Sequence, residues 1–179
     1  MCKPLLFATL LLALAACHKA DDGPRIDFGP GDGFSYRDAS NLPAGTQDPS
    51  DWTADATWTD QEKTLFSELS ISLDGAPQPG FLDTPAVYPN PARVATWAVA
   101  SQRGPGGAPA FTIAAVLVNR DFKEVLRLPH TYAGSGYYAT SFDYAKLGLL
   151  SGERYRLYYV MFNNNGLIMK GHGDVRCNK

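Results

Sequence analysis

From residue 93 onward, apolar and polar positions alternate in short bursts. Residues 111–118 (Phe-Thr-Ile-Ala-Ala-Val-Leu-Val) are apolar on both faces, the pattern of a strand buried from two sides. Half-buried candidates surround it. In residues 93–100, Ala95, Trp97 and Val99 share one side while Val94, Thr96 and Ala98 share the other. Residues 122–128 keep Lys123, Glu124 and Arg127 toward solvent, and Tyr138, Thr140 and Phe142 alternate in a further segment. The strongest pattern lies in residues 154–161. There Tyr155, Leu157, Tyr159 and Met161 share one face, and Arg154, Arg156 and Tyr158 the other. Asn163-Asn164-Asn165-Gly166 predicts a hairpin turn, because Asn and Gly tolerate positive φ, with residues 167–170 returning. Upstream, Leu69, Ile71 and Leu73 alternate with Ser70 and Ser72, which predicts a strand ended by Asp74-Gly75-Ala76-Pro77. Thr59 or Asp60 caps a short helix over residues 61–66. About seven short strands at this spacing predict an all-β antiparallel sandwich over residues 51–179.

Residues 19–50 show neither period. They are rich in Gly, Pro, Asp and Asn, as in Gly29-Pro30-Gly31-Asp32-Gly33. Such a segment buries too little to offset its ordering entropy, so residues 17–50 read as an acidic tether reaching on the order of 30 Å. Ile26, Phe28 and Phe34 are its lone apolar residues, able to dock on the folded part.

The N-terminus has a third pattern. Lys3 precedes an uninterrupted run over residues 5–14, dominated by Leu and Ala, and small Ala15 and Ala16 follow. This is the layout of an export signal, and the run is too short for a permanent span, which needs roughly 20 apolar residues. Leu14-Ala15-Ala16-Cys17 resembles a lipobox. That resemblance implies removal of residues 1–16 and diacylglycerol on the Cys17 thiol, with multiple acyl chains holding the protein in the membrane. Cys2 then leaves with the signal and Cys17 is consumed by lipid, so Cys177 has no internal partner for a disulfide. Lys19 beside Asp21 and Asp22 resembles the surface-export signal of Bacteroidetes-type lipoproteins, which implies the outer membrane and display on its outer face.

Charge divides the chain. Residues 17–83 carry thirteen acidic and four basic side chains, and residues 84–179 five acidic and eleven basic. The acidic part is able to lie across the basic part with no external partner. The basic residues are scattered over several strands, which disfavours nucleic acid as a partner.

Val87-Tyr88-Pro89-Asn90-Pro91, the Leu150-Ser151-Gly152-Glu153-Arg154-Tyr155 entry to a late strand, Asn165-Gly166 and Lys170 together resemble the type IX secretion-associated C-terminal β-sandwich domains of Bacteroidetes proteins. The match covers residues 85–171 and implies an Ig-like sandwich in which Tyr155 buries its ring while its hydroxyl meets backbone. An anchor at the opposite end and the Gly171-His172-Gly173-Asp174 tail depart from that pattern. With these features the whole chain is more similar to uncharacterised outer-membrane lipoproteins of such bacteria.

Candidate chemistry is sparse. His172 and Asp174 share one side of an extended segment, but two residues fall short of the three or four protein ligands of a zinc site, and His18 and His130 add no ligand spacing. Gly134-Ser135-Gly136 lacks the spacing of a nucleophile elbow. Neither a catalytic residue, a metal site nor a cofactor is therefore expected. Arg154, Arg156 and Tyr158 form a candidate cationic and aromatic contact stripe. The alternative is an ordinary face whose arginines pack on neighbouring side chains. The reading is a non-catalytic, lipid-anchored envelope protein whose sandwich contacts an envelope protein or a glycan. The rivals are an accessory subunit of an outer-membrane complex and a hydrolase with an unrecognised site.

Overall fold

The computed structural model of the protein describes residues 23–75, 78, 82–83, 85–103 and 107–178. The elements run β1 (Thr53–Ala54), α1 (Asp60–Thr64), β2 (Ala86–Tyr88), β3 (Val94–Ala100), β4 (Phe111–Val118), β5 (Glu124–Ala133), β6 (Tyr137–Asp143), β7 (Arg154–Asn163) and β8 (Gly166–Arg176). They form a five-stranded sheet in the order β1-β8-β7-β4-β5 and a three-stranded sheet in the order β2-β3-β6. Every ladder between them is antiparallel. An all-β, two-sheet architecture with one short helix therefore follows the pattern of alternation, and β4 holds the interior position that its two apolar faces predict.

Two cores explain those two faces. Between the sheets, Trp97 and Val99 meet Ile113, Leu117, Leu157 and Tyr159. On the far side of the five-stranded sheet, Val116, Val118, Tyr158 and Val160 are covered by Ile26, Phe28, Trp58 and Phe66. The second cover is coil and the short helix α1. Thr59 caps that helix, its side chain accepting from the Glu62 N–H while the Glu62 carboxylate accepts from the Thr59 N–H.

Three expectations are revised. Residues 23–50 do not run free: Ile26, Phe28 and Phe34 are buried, and the Ile26 N–H donates to the Arg120 carbonyl at 2.7 Å. Each such side chain contributes about 1.5–3 kcal/mol on burial, enough to order a segment whose polar residues could not order it alone. Cys17 lies outside the described residues. Residues 69–73 form no ladder, although Leu73 is buried and Leu69 and Ile71 pack on the second core. They lie over a sheet face, which offers side chains and no backbone hydrogen-bonding edge.

The third revision concerns β8, which continues through Gly171-His172-Gly173-Asp174 to Arg176. Its glycines admit a neighbour. A β-carbon on Gly173 would overlap the Trp52 indole, and one on Gly171 would overlap the Thr53 carbonyl. Trp52 itself sits at φ 60° and stacks on Tyr159, with the ring planes 6° apart.

Candidate functional site

The side chains singled out for chemistry converge on the outer face of the β7–β8 pair. Arg156 and Asp174 are cross-strand partners, as are Tyr158 and His172, and all four project to the side covered by the N-terminal segment. The Arg156 guanidinium donates to both Asp174 carboxylate oxygens at 2.7 Å, and its side chain and that of Asp174 are only 13% and 5% exposed. This is the bidentate geometry in which an Arg–carboxylate pair is strongest. Arg156 also donates to the Asp27 carbonyl at 3.0 Å, and Arg154 donates to the Asp32 carbonyl at 2.8 Å. The Phe28 ring lies beneath the guanidinium groups of Arg154, Arg156 and Arg120, at 4.8, 5.5 and 5.7 Å from its centroid.

Tyr158 is buried between Trp58, Phe122 and His172, and its hydroxyl donates to the Glu62 carboxylate at 3.1 Å. Burial, reinforced by the Glu62 charge, pushes its phenol well above the usual range. The candidate contact stripe is thus a floor on which the chain's own N-terminal segment rests. Arg156 and Tyr158 are not open to an outside partner, and Arg154 is half-buried. The arginines pack on neighbouring side chains, and part of the acidic half lies across the basic half.

His172 and Asp174, adjacent on one side of β8 as their spacing predicts, serve different partners. Nδ1 of His172 meets the Asp55 carboxylate at 2.7 Å, and the same carboxylate oxygen accepts from the Trp58 indole N–H at 2.8 Å. Lys170, the next residue of that row, is buried and donates to the Ala56 carbonyl at 2.9 Å. The Lys170 and His172 side chains and the Asp174 N–H are therefore a row of pegs that fasten residues 51–58 to the sheet. Among the described residues, no group of three or more His, Cys, Asp or Glu side chains is placed to hold a metal ion.

Asp51 and Asn90 carry a second set of fastenings without a sequence motif. Both Asp51 oxygens accept backbone N–H groups, from Ser35 at 2.7 Å and from Asp174 at 2.6 Å. Burial pushes the Asp51 carboxyl up to about 7, against those two bonds, which favour the ionised form. Burial also raises the Asp174 carboxyl, against the pull of Arg156. The buried Asn90 amide donates to the carbonyls of Ser35 and Asp174, and its oxygen accepts from the Arg176 N–H. One side chain so joins the N-terminal segment, the β2–β3 connection and β8.

At the β7 entry, Gly152 turns at φ 86°, Tyr155 is buried, and its hydroxyl accepts from the Leu150 N–H at 2.9 Å. Cys177 is buried and free, with burial raising its thiol.

Two hollows of the surface lie one on each side of the β7–β8 turn at Asn163-Asn164-Asn165-Gly166. A third hollow, about 520 Å³, opens between the edges of the two sheets and is lined by Val94, Leu126, Leu128, Phe142 and Leu147 among others. The amide-rich turn is legible in the sequence, but as a turn only; nothing in it says which side chains stand beside it.

No protein-family model matches this chain. No curated protein matches it either. Among solved structures, "Bacteroides uniformis beta-glucuronidase 2 covalently bound to cyclophellitol-6-carboxylate aziridine" aligns with 58% of this chain and 13% of its own length, at 15% identity and a TM-score of 0.28. The chain thus spans a small part of that enzyme's length.

Proposed function

We propose that the protein is a lipid-anchored lipoprotein of the bacterial outer membrane, displayed at the cell surface, whose sandwich presents a non-catalytic surface to a glycan or an envelope protein. One observation carries the non-catalytic part. Of the side chains singled out for chemistry, His172 meets Asp55 and Arg156 meets the Asp27 carbonyl, which fastens residues 23–58 to the five-stranded sheet, while the Asp174 carboxylate braces Arg156 and Asp51 accepts the Asp174 N–H. A catalytic carboxylate or imidazole needs a face turned to substrate, and these are spent on the fold.

The immunoglobulin-like reading of the sandwich draws support from its strand order. With two-residue β1 set aside, β2-β3-β6 face β8-β7-β4-β5, and the Tyr155 hydroxyl reaches back to the Leu150 N–H as in a tyrosine corner. Anchoring rests on the sequence around Cys17. The docked segment is compatible with it, since Gly23 and Pro24 border a small hollow with Asp121 and Lys123, at the β4–β5 end of the sheet. An acylated chain would then enter at one end and leave the other end free. Mass spectrometry of the N-terminal peptide of the membrane-extracted protein is the test. The expected product begins at Cys17 with a diacylglyceryl thioether; a peptide still carrying residues 1–16, or trimmed elsewhere without lipid, overturns the proposal.

A second reading, an accessory subunit of an outer-membrane complex, is favoured by the apolar hollow between the sheet edges, where Leu126, Leu128 and Phe142 line a space open to a partner's side chains. Co-purification with a barrel protein from gently solubilised membranes supports that reading. A monodisperse free monomer opposes it.

A further inference from the structure

The two hollows beside the β7–β8 turn share their wall. One, about 390 Å³, is lined by Thr112, Tyr132 and the three asparagines, with Phe111 at its base. The other, about 600 Å³, uses the same asparagines with Ser70, Ser72 and Gln78. Each falls in the size range of small-molecule sites. Their chemistry is distinctive: among the described residues, no side chain lining either hollow carries a charge, in a protein whose residues are 19% charged.

Tyr132 is 71% exposed, the most exposed of the large hydrophobic side chains among the described residues. Its ring packs against Gly134, where a β-carbon would approach its edge to 2.9 Å, so the glycine lets the ring settle on the backbone with a face to solvent. The turn needs little of its amide supply. Asn163 Oδ1 accepts from the Asn165 N–H at 2.8 Å, and Gly166 takes the positive φ of 104°. Among the described residues, the side chains of Asn164 and Asn165 have no hydrogen-bond partner, and each amide offers two donors and an acceptor.

An open aromatic face beside uncharged amides and hydroxyls matches one ligand class. A sugar ring carries an apolar face of C–H bonds that stacks on an aromatic ring, and a rim of hydroxyls that both donate and accept. A phosphate or a uronate would meet no cation here, and an apolar ligand would strand the amides. We infer that the clefts flanking the β7–β8 turn form a binding site for a neutral oligosaccharide, with Tyr132 as the stacking platform and Asn164 and Asn165 as hydroxyl readers. The shared asparagine wall places the two hollows side by side, so that a chain of sugars crosses the turn from one to the other. The inference deepens the proposed role in contacting a glycan and rests on it only for biological setting, since the site is complete without the anchor.

Affinity electrophoresis of the full detergent-solubilised protein tests it, using gels that contain xylan, galactomannan or laminarin, with polygalacturonate as the acidic comparison. At least one neutral polysaccharide is expected to retard the protein. Tyr132→Ala, and separately Asn164→Ala with Asn165→Ala, are expected to weaken that retardation at least tenfold while the thermal midpoint stays unchanged, because the substituted side chains are not core and Asn163 and Gly166 still build the turn. Absence of retardation in all neutral gels overturns the inference, as does retardation that survives both variants or appears only with polygalacturonate. N-terminal mass spectrometry reads the anchor separately, so sugar binding without lipid and lipid without sugar binding are distinct results.

Discussion

Asp51 ties the Ser35 N–H of the docked segment to the Asp174 N–H of β8, and its environment makes stability depend on pH in a definite direction. In the unfolded chain its carboxyl has an ordinary value of 3.8, whereas in the folded protein burial lifts it to about 7. Between those values the folded state holds a proton that the unfolded state has released. The contribution of this group to stability is therefore fully present below about pH 4 and lost as pH rises through about 7. Glu68 and Asp74, whose carboxyls lie below their usual range, act with the opposite sign and at more acid pH. Asp51→Asn isolates the effect. Its amide satisfies one of the two backbone N–H groups and leaves the other facing a donor, a cost of about 1–3 kcal/mol. Urea unfolding is expected to show wild type exceeding the variant by more at pH 5 than at pH 8. A gap that is constant, or that widens toward pH 8, contradicts a carboxyl raised by burial.

At the scale of elements, what the sequence reveals depends on whether a segment's neighbours are its own. β4, β7 and the capped helix were legible because each carries its burial pattern in its own spacing, and the β7 entry because Gly152 and Tyr155 fix a local turn. The C-terminal half of β8 was not. Its two glycines weaken a strand on propensity and make sense only once Trp52 and Thr53, more than a hundred residues earlier, are packed against them. The same cause hid the strap of residues 23–34, whose Ile26 and Phe28 look isolated in a Gly- and Pro-rich stretch until they meet Arg154, Arg156 and Val118. The two readings of the Arg154, Arg156 and Tyr158 stripe stay open in the sequence for that reason: alternation tells which residues leave one core, not whether a second layer waits outside. Ile26→Ala with Phe28→Ala tests the strap. Large-to-small changes in a full core cost roughly 2–5 kcal/mol each, and one-sided packing places these at the lower end. Limited trypsin digestion is expected to cut after Arg25 and Arg37 much faster in the variant, while the near-ultraviolet dichroism of the Trp97 core persists. Equal cleavage rates would show that the apolar contacts do not hold the strap.

For the molecule as a whole, the path of the chain relates the proposed anchor to the proposed sugar site. The strap meets the sheet where the Ile26 N–H bonds to Arg120, beyond the end of β4, whereas the asparagine turn follows Phe162, the partner of Thr112 at the start of β4. Eight residues of strand separate those ends by about 26 Å at roughly 3.3 Å per residue. Gly23 lies within about 22 Å of Cys17 even if the chain between them is fully extended, at ~3.6 Å per residue. Acylation of Cys17, as proposed, would therefore hold the Arg120 end near the lipid. The turn with Tyr132 nearby then points away from the membrane, where a soluble or wall-bound glycan reaches it. Fluorophores on Lys123→Cys and on Ser135→Cys distinguish the two ends in vesicles that carry a headgroup quencher, because the buried Cys177 resists labelling. Strong quenching at position 123 and little at position 135 is expected of the lipidated protein. The reverse order would mean that the strap delivers the sandwich to the bilayer with its asparagine turn inward, closing the clefts against any polysaccharide.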